Sequence, residues 1–360
     1  MMHTQSFPSF AVLSGCPCEL LIMIRNIIEL LKLGRIEFGG FSVGVMFSGA
    51  LSLRPSAMNS ADILALFALS IFATLWGFAH NDWCDVTLDR RSPALLGRPL
   101  VCGSVSEPTA LSLIVCCILA SFCIIALSHS GLGAFVLLAS VTLGWLYNEL
   151  SKKLPGSDMF FAASSALLCL LGALWIAGRS QPSRQTWNLV WTVVVIHFID
   201  QIVFNTGAAL KDIKNDLGSG VVNMAVVSGV DVGSNDELTI SHKFQAYLIL
   251  LKLLSLSVLF ASPLLTGTPF TSQQALLLVT TAAASLWLTL QALDMKVFDR
   301  DQIGRRWLKQ EAVSKLLVPI LLLQTVGWQW CLFLILVPLG WFLAWNAVLY
   351  GRAASLNKGF

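Results

Sequence analysis

Apolar residues in this chain come in long runs, not in the alternation of a half-buried strand. Runs of about 17 to 25 residues, enough to cross roughly 30 Å of hydrocarbon as a helix, recur at 36–53, 61–80, 108–128, 132–148, 158–178, 186–209, 243–263 and 273–293. A last stretch, 312–349, is longer than one span needs. It admits two readings: one span preceded by a buried or re-entrant segment ending near Gln324, or two short spans hinged around Gly327. The pattern predicts an all-α, polytopic membrane helical bundle of about nine transmembrane helices.

Ahead of the first run, Arg25, Lys32 and Arg35 interrupt the apolar residues around Leu20–Leu33, and no small-residue cleavage site follows a clean core. That stretch reads as an amphipathic interfacial helix and not as a signal peptide. The expected division is an N-terminal segment 1–35, a membrane domain 36–350 and a tail 351–360. Composition agrees: 12% of residues are charged, half the soluble norm of about a quarter, and the mean hydropathy is +0.75. Nine cysteines do not imply disulfides, because Cys116, Cys117, Cys123, Cys169 and Cys331 fall inside predicted spans, where cysteine acts as a small apolar residue. Cys16-Pro-Cys18 is too short for a metal site.

The net charge of +3 matters less than its distribution. With alternating spans, the N-terminal flank and the even-numbered loops share one side and hold nearly all the cations, from Arg25 to the cluster Lys296–Lys315. The other side has Arg54, Arg179 and Arg184. That bias assigns the charged side to the cytoplasm. Lysine and arginine obey such a rule; aspartate contributes little to it, and the aspartates here follow a spacing.

In "AHNDWCDVTLDRRSPALLGRPLVCG" (79–103), Asp82, Asp85 and Asp89 stand at i, i+3 and i+7, one face of a helix continuing the second span. Like charges about 4 Å apart repel by roughly 4 kcal/mol at an effective dielectric of 20, so such a face wants a cation. A second cluster, Asp212 and Asp216 in "NTGAALKDIKNDLGSG", ends the sixth span at the topologically equivalent place. Hard oxygen ligands suit Mg²⁺, which completes its octahedron with waters and phosphate oxygens. Arg98, Lys152, Lys153 and Lys211 lie on the same side to meet the remaining phosphate charge. Together these features predict a diphosphate site at the mouth of a central apolar cavity opening to the cytoplasmic side.

These residues resemble the UbiA superfamily of intramembrane prenyltransferases. Its first motif, NDxxDxxxD, appears as Asn81-Asp82 through Asp85 to Asp89, its arginine-proline element as Arg98-Pro99, and its DxxxD motif as Asp212 to Asp216 preceded by Lys211. Tyr147 and Lys152-Lys153 look like the family's tyrosine-to-lysine element. One departure is Gly218-Ser219, where many members carry a glycine-aspartate pair. The resemblance implies Mg²⁺ held by Asp82, Asp85 and Asp89 and by Asp212 and Asp216. It also implies an isoprenyl diphosphate whose departure leaves an allylic carbocation, and an aromatic or other lipophilic acceptor that attacks it. Arg98, Lys152 and Lys211 would neutralise the leaving diphosphate, with Lys153 and Asn81 assisting its binding.

Within the sixth span, His197 and Asp200 stand at i and i+3 among apolar residues. An intramembrane aspartate faces a cavity or a partner. Two readings stand: the pair lines an acceptor pocket, with Asp200 taking a proton, or it is a mutually satisfied pair tying helices together. Arg90 and Arg91 are either phosphate contacts or topology markers, and the polar segment Ser219–Ser241 is either a lid or a solvated loop. No Walker motif, dinucleotide fingerprint or nucleic-acid signature occurs. A membrane terpene cyclase would use the same metal chemistry. An ion-coupled transporter is disfavoured because both clusters sit at span ends and not at the midplane.

Overall fold

The computed structural model describes residues 17–53, 58–128, 130–178 and 182–351. His3, Cys16, Arg54, His129, Arg179 and the tail from 352 lie outside them. The described chain is almost wholly helical. An N-terminal helix α1 (Pro17–Leu33) and a short 3-10 turn (Ile36–Phe38) lead into α2 (Gly39–Ser52) and α3 (Ser60–Asp89). A one-turn α4 (Pro99–Cys102) precedes three helices of 20 or 21 residues, α5 (Glu107–Leu127), α6 (Gly131–Leu150) and α7 (Asp158–Ala177). Next come α8 (Arg184–Ala208), the short α9 (Ile213–Ser219) and α10 (Met224–Val227), and a two-stranded hairpin, β1 (Asp231–Val232) with β2 (Leu238–Thr239). The chain closes with α11 (His242–Thr266), α12 (Ser272–Leu293), α13 (Arg300–Ser314) and α14 (Leu317–Tyr350). Among the described residues, eight helical stretches are long and apolar enough to cross a membrane, and 36–52 forms a shorter apolar one.

The long C-terminal stretch breaks at Gly327, whose φ of 77° with ψ of 169° lies where only glycine is at ease. Before the break the chain runs antiparallel to α12. Ser314 meets Ser285 at 2.7 Å near its start, and the Gln274 amide donates to the carbonyls of Ile320 and Leu321 at 2.9 and 3.0 Å near its end. After the break it returns along α2, where Trp341 Nε1 donates to the Ile36 carbonyl at 2.7 Å and Tyr350 meets Glu37. The stretch is therefore two helical segments that double back at Gly327.

Helix α3 has 30 residues, about 45 Å of rise, half as much again as the hydrocarbon thickness. Its start is fixed by a capping box in which the Asn59 side chain accepts from the Asp62 amide and the Asp62 carboxylate accepts from the Asn59 amide; Trp175 Nε1 also donates to Asp62. With that end anchored, the surplus length carries Asp82, Asp85 and Asp89 out at the other end of the bundle.

Two glycines set the spacing of the helices around the centre. A Cβ on Gly49 of α2 would stand 1.8 Å from the Cys169 carbonyl oxygen of α7, and one on Gly172 of α7 would stand 2.0 Å from the Met46 oxygen of α2. Both backbones touch directly, as small residues allow between membrane helices. Gly172→Val should force α2 and α7 apart at a cost of about 1–3 kcal/mol, read as a lower unfolding temperature in detergent, whereas Gly178→Ala, with nothing within 4 Å of its added carbon, should leave that temperature unchanged.

Candidate active site

The first aspartate cluster emerges on the last turns of α3. Asp82 is buried at 2% exposure and Asp89 at 7%, and both are compensated at once. Arg35 Nη2 reaches Asp82 Oδ1 at 2.7 Å, Arg98 Nη1 reaches the same oxygen at 3.2 Å, and Arg98 also pairs with Asp89. Arg98 is placed by being the residue immediately before the α4 helix, with Pro99 at its first position. Arg35 occupies the left-handed region at φ 44°, where the chain turns from α1 toward α2, and its guanidinium lies 5.0 Å from the centre of the Phe78 ring.

Across from them, α8 tightens into a 3-10 turn, Ala209–Asp212, before α9 begins, and this step presents Asp212 and then Asp216. Arg300 of α13 holds Asp212 at 3.1 Å. Lys152 stands 3.6 Å from Asp216, whose second oxygen accepts from the Asn223 amide at 2.7 Å. Burial opposes the charge on Lys152, yet Asp216, Asp85, Asp212 and Asp89 together hold its pKa above the ordinary lysine value. The same opposition between burial and the Asp82 and Asp89 carboxylates raises that of Arg98. Lys152 thus stands between the two clusters.

One cavity of ≈340 Å³ brings these groups together. Its lining includes Arg35, Asn81, Asp85, Asp89, Arg98, Lys152, Lys211, Asp212, Asn215, Asp216 and Asn223; much of the remaining wall is apolar and aromatic, including Phe38, Phe41, Met46, Leu69, Phe161, Leu168 and Phe204, with Gln201, Asn205, Glu311, Lys315 and several hydroxyls among them. Tyr147 and Asp158 also line the cavity. Asp82 is set back from the wall, as the anchor of Arg35 and Arg98. Lys153 is exposed and does not line the cavity. Arg90 is on the surface with Glu107, 3.6 Å away, and Arg91 is exposed as well.

The donor set toward the cavity is carboxylate and amide oxygen, the chemistry a hard divalent cation takes. Five carboxylates, Asp82, Asp85, Asp89, Asp212 and Asp216, stand against the cations Arg35, Arg98, Lys152 and Arg300, with the buried Lys211 beside Asp212. With that near balance, a highly charged anion entering the cavity needs further positive charge, so the residues fit a divalent metal.

His197 and Asp200 are not paired with one another. Asp200 accepts from Lys252 Nζ of α11 at 2.9 Å, and Lys252 donates to Ser314 Oγ at 2.9 Å, with Ser285 and Gln310 bonded to the same hydroxyl. Lys252 is 0% exposed and Asp200 4%, so this network ties α8, α11, α12 and α13 together away from the cavity. The i, i+3 spacing permitted a pair, but each side chain found a stronger partner on another helix. His197 meets Ser48 Oγ at 2.8 Å and lines a second, apolar cavity that shares Phe41, Val45 and Lys315 with the first.

The segment after Asp216 is neither a bare loop nor free. Val221, Ala225, Val230, Leu238 and Ile240 are buried, the Val222 amide donates to the Lys152 carbonyl at 2.9 Å, and the hairpin joins 296–298 by backbone bonds. It caps the polar end and supplies Asn223. Sequence reasoning passed over Arg35, Arg300 and Asn223 as site residues: the two arginines read as topology cations, and the asparagine had no motif around it. Lys252, a lysine inside an apolar run, was the visible signal for the partner of Asp200.

Comparison with known proteins places this geometry. Residues 42–313 match the model of the UbiA prenyltransferase family. Digeranylgeranylglyceryl phosphate synthase of Haloquadratum walsbyi (strain DSM 16790 / HBSQ001) is 28% identical over 213 residues, 58% of this chain and 68% of that one. The 4-hydroxybenzoate octaprenyltransferase of Yersinia pestis is 27% identical over 234 residues, 63% of this chain and 77% of the relative. Among solved structures, a UbiA homolog from Aeropyrum pernix K1 superposes with a TM-score of 0.63 at 18% identity, over 80% of this chain and 98% of that one. A UbiA homolog from Archaeoglobus fulgidus bound to GPP and Mg²⁺ gives 0.58 at 17% identity, over 81% and 99%.

A buried ion pair broken on one side leaves an uncompensated charge. Lys252→Met should cost about 3–5 kcal/mol in thermal unfolding, and adding Asp200→Leu to it should recover most of that loss. Equal stability of the single and double variants would show that Asp200 is satisfied elsewhere.

Proposed function

This chain belongs to the UbiA prenyltransferase family and is a multi-pass integral membrane prenyltransferase, and from that premise we propose how its own residues hold the substrates. The observation that carries the reading is that aspartates of both clusters line a single cavity together with Arg35, Arg98, Lys152 and Lys211, and that much of the rest of its wall is apolar and aromatic. An isoprenyl diphosphate fits that polarity, with its diphosphate at the charged end and its hydrocarbon chain along Phe38, Phe41, Met46 and Leu69.

Asp85, Asp89, Asp212 and Asp216 are the residues that would hold Mg²⁺, with Asp82 fixing Arg35 and Arg98 behind them. The chemistry such an ion supplies there is neutralisation of charge on the leaving diphosphate. Arg98 and Lys152 do the same work as fixed cations, already aimed at the place where charge develops, so no reorganisation accompanies bond breaking, and Lys211, buried beside Asp212, joins them when protonated. The segment carrying Asn223 covers the polar end and helps to exclude water from the allylic cation. The aromatic wall offers that cation ring faces. A lipophilic or aromatic acceptor then attacks it. The cation-rich end is assigned to the cytoplasmic side by the positive-inside rule.

The test uses purified protein in lipid with Mg²⁺, isoprenyl diphosphates of graded length, and phenolic, quinone-precursor and glycerol-phosphate acceptors. Asp82→Ala and Asp212→Ala should each abolish diphosphate release, and Arg98→Ala should lower kcat about 10²–10³-fold. Lys153→Ala should stay near wild type. Full activity of either aspartate variant overturns the two-cluster reading, and a hydrocarbon formed from the diphosphate alone would identify a cyclase.

A further inference from the structure

Three side chains that the cavity does not use converge behind it. His80 and Cys84 are one turn apart on α3, at helical positions about 100° or more from Asp85 and Asp89, and Glu149 comes from the last turn of α6. The Cys84 sulfur lies 3.5 Å from His80 Nε2 and 3.5 Å from Glu149 Oε1. All three donor atoms fall within 4.8 Å of one another.

Those separations have a geometric meaning. Zinc holds a thiolate at about 2.3 Å and an imidazole or carboxylate at about 2.0–2.2 Å, so ligand atoms at a tetrahedral angle stand about 3.5 Å apart. Two edges of the tetrahedron are therefore at their bonded length before any ion enters, and a small rotation of the Glu149 carboxylate closes the third. His80 is 0% exposed and held between rings, with Trp145 and Trp83 centred 3.8 and 6.0 Å from it. Its Nδ1 sits 2.9 Å from the Asn148 side-chain amide. With a metal on Nε2, Nδ1 carries the proton, and the Asn148 amide turns its oxygen to accept it, giving up its bonds to the Gly77 carbonyl and Asn81 for the outer contact that orients a ligating histidine. Cys84 and Glu149 are half-buried, which leaves an approach for an ion and room for a water as fourth ligand.

We propose that His80, Cys84 and Glu149 form a second metal site, specific for a thiophilic divalent cation of the Zn²⁺ class and separate from the oxygen-lined Mg²⁺ site. Imidazole and thiolate select zinc over magnesium, whereas the cavity offers oxygen alone. Binding exchanges the thiol proton, released to solvent, for a sulfur–metal bond. The ion joins α3, which bears the first aspartate cluster, to α6, which leads into Lys152, and so stiffens the frame on which the two clusters face each other. This site stands on its own geometry and does not depend on the prenyl-transfer reading.

The experiment is metal titration of the purified full-length protein, stripped with chelator and kept in excess Mg²⁺. One equivalent of Zn²⁺ should be retained, and Co²⁺ in its place should give a thiolate-to-cobalt charge-transfer band. Cys84→Ser should lose the band and the equivalent, Glu149→Gln should weaken binding while keeping the band, and Asp212→Asn, at the oxygen-lined site, should keep both. Zinc should also raise the unfolding temperature of the wild type but not of Cys84→Ser. The absence of retained zinc, or a thiolate band that persists in Cys84→Ser, overturns the proposal.

Discussion

The structure depends on one electrostatic constraint: five carboxylates held at one end of an apolar bundle must not be left facing one another. Lys152 and Arg98 carry most of that burden. Lys152 stands among Asp216, Asp85, Asp212 and Asp89, and Arg98 bridges Asp82 and Asp89 within the first cluster. Arg35 and Arg300 anchor Asp82 and Asp212. Removing charge from water is costly unless the partner is near and well placed, so each cation fixes an acid and is fixed by it. The result is a preorganised set of charges in place before any substrate arrives.

Packing serves that arrangement at a distance. The direct backbone contacts of Gly49 and Gly172 draw α2 against α7, and Gly207 lies under the Trp307 ring so that α13 closes on α8. Those approaches bring Arg35 at the head of α2 and Arg300 at the head of α13 within reach of aspartates on α3 and α8. The capping box at Asn59 works in the same direction, because a helix anchored at one end and longer than the hydrocarbon must project at the other. A second buried network, Asp200 with Lys252 and Ser314, joins four helices without touching the cavity. Buried charge in this protein therefore gathers in two places, along the cavity and within the frame between helices.

Sequence and structure agree most closely where a feature repeats along the chain. Span positions followed from runs of apolar residues, and the two aspartate motifs followed from spacing on a helix. The 312–349 stretch illustrates the limit. Its apolar residues do not say where the helix breaks, and the reversal was set by the backbone at Gly327 together with hydrogen bonds to Gln274 and Ile36, partners 46 and 305 positions away. His197 and Asp200 show the same limit in a pair, since their spacing allowed mutual contact while Ser48 and Lys252 offered better partners on other helices.

By itself, the sequence determined the membrane class and the two aspartate clusters, and it set Arg98 and Lys152 on the same side as those clusters, because each of these is written in local composition or in a helical period; that the two cations pair with the aspartates came from the structure. Tertiary structure alone decided that Asp82 stands behind the cavity wall, that Lys153 points away, that Arg35, Arg300 and Asn223 join the site, and that Asp200 belongs to the frame. Those outcomes turn on which helices pack together. A one-dimensional pattern carries the face of each helix, while the neighbour that face meets is settled by close packing and by the need to pair every buried charge.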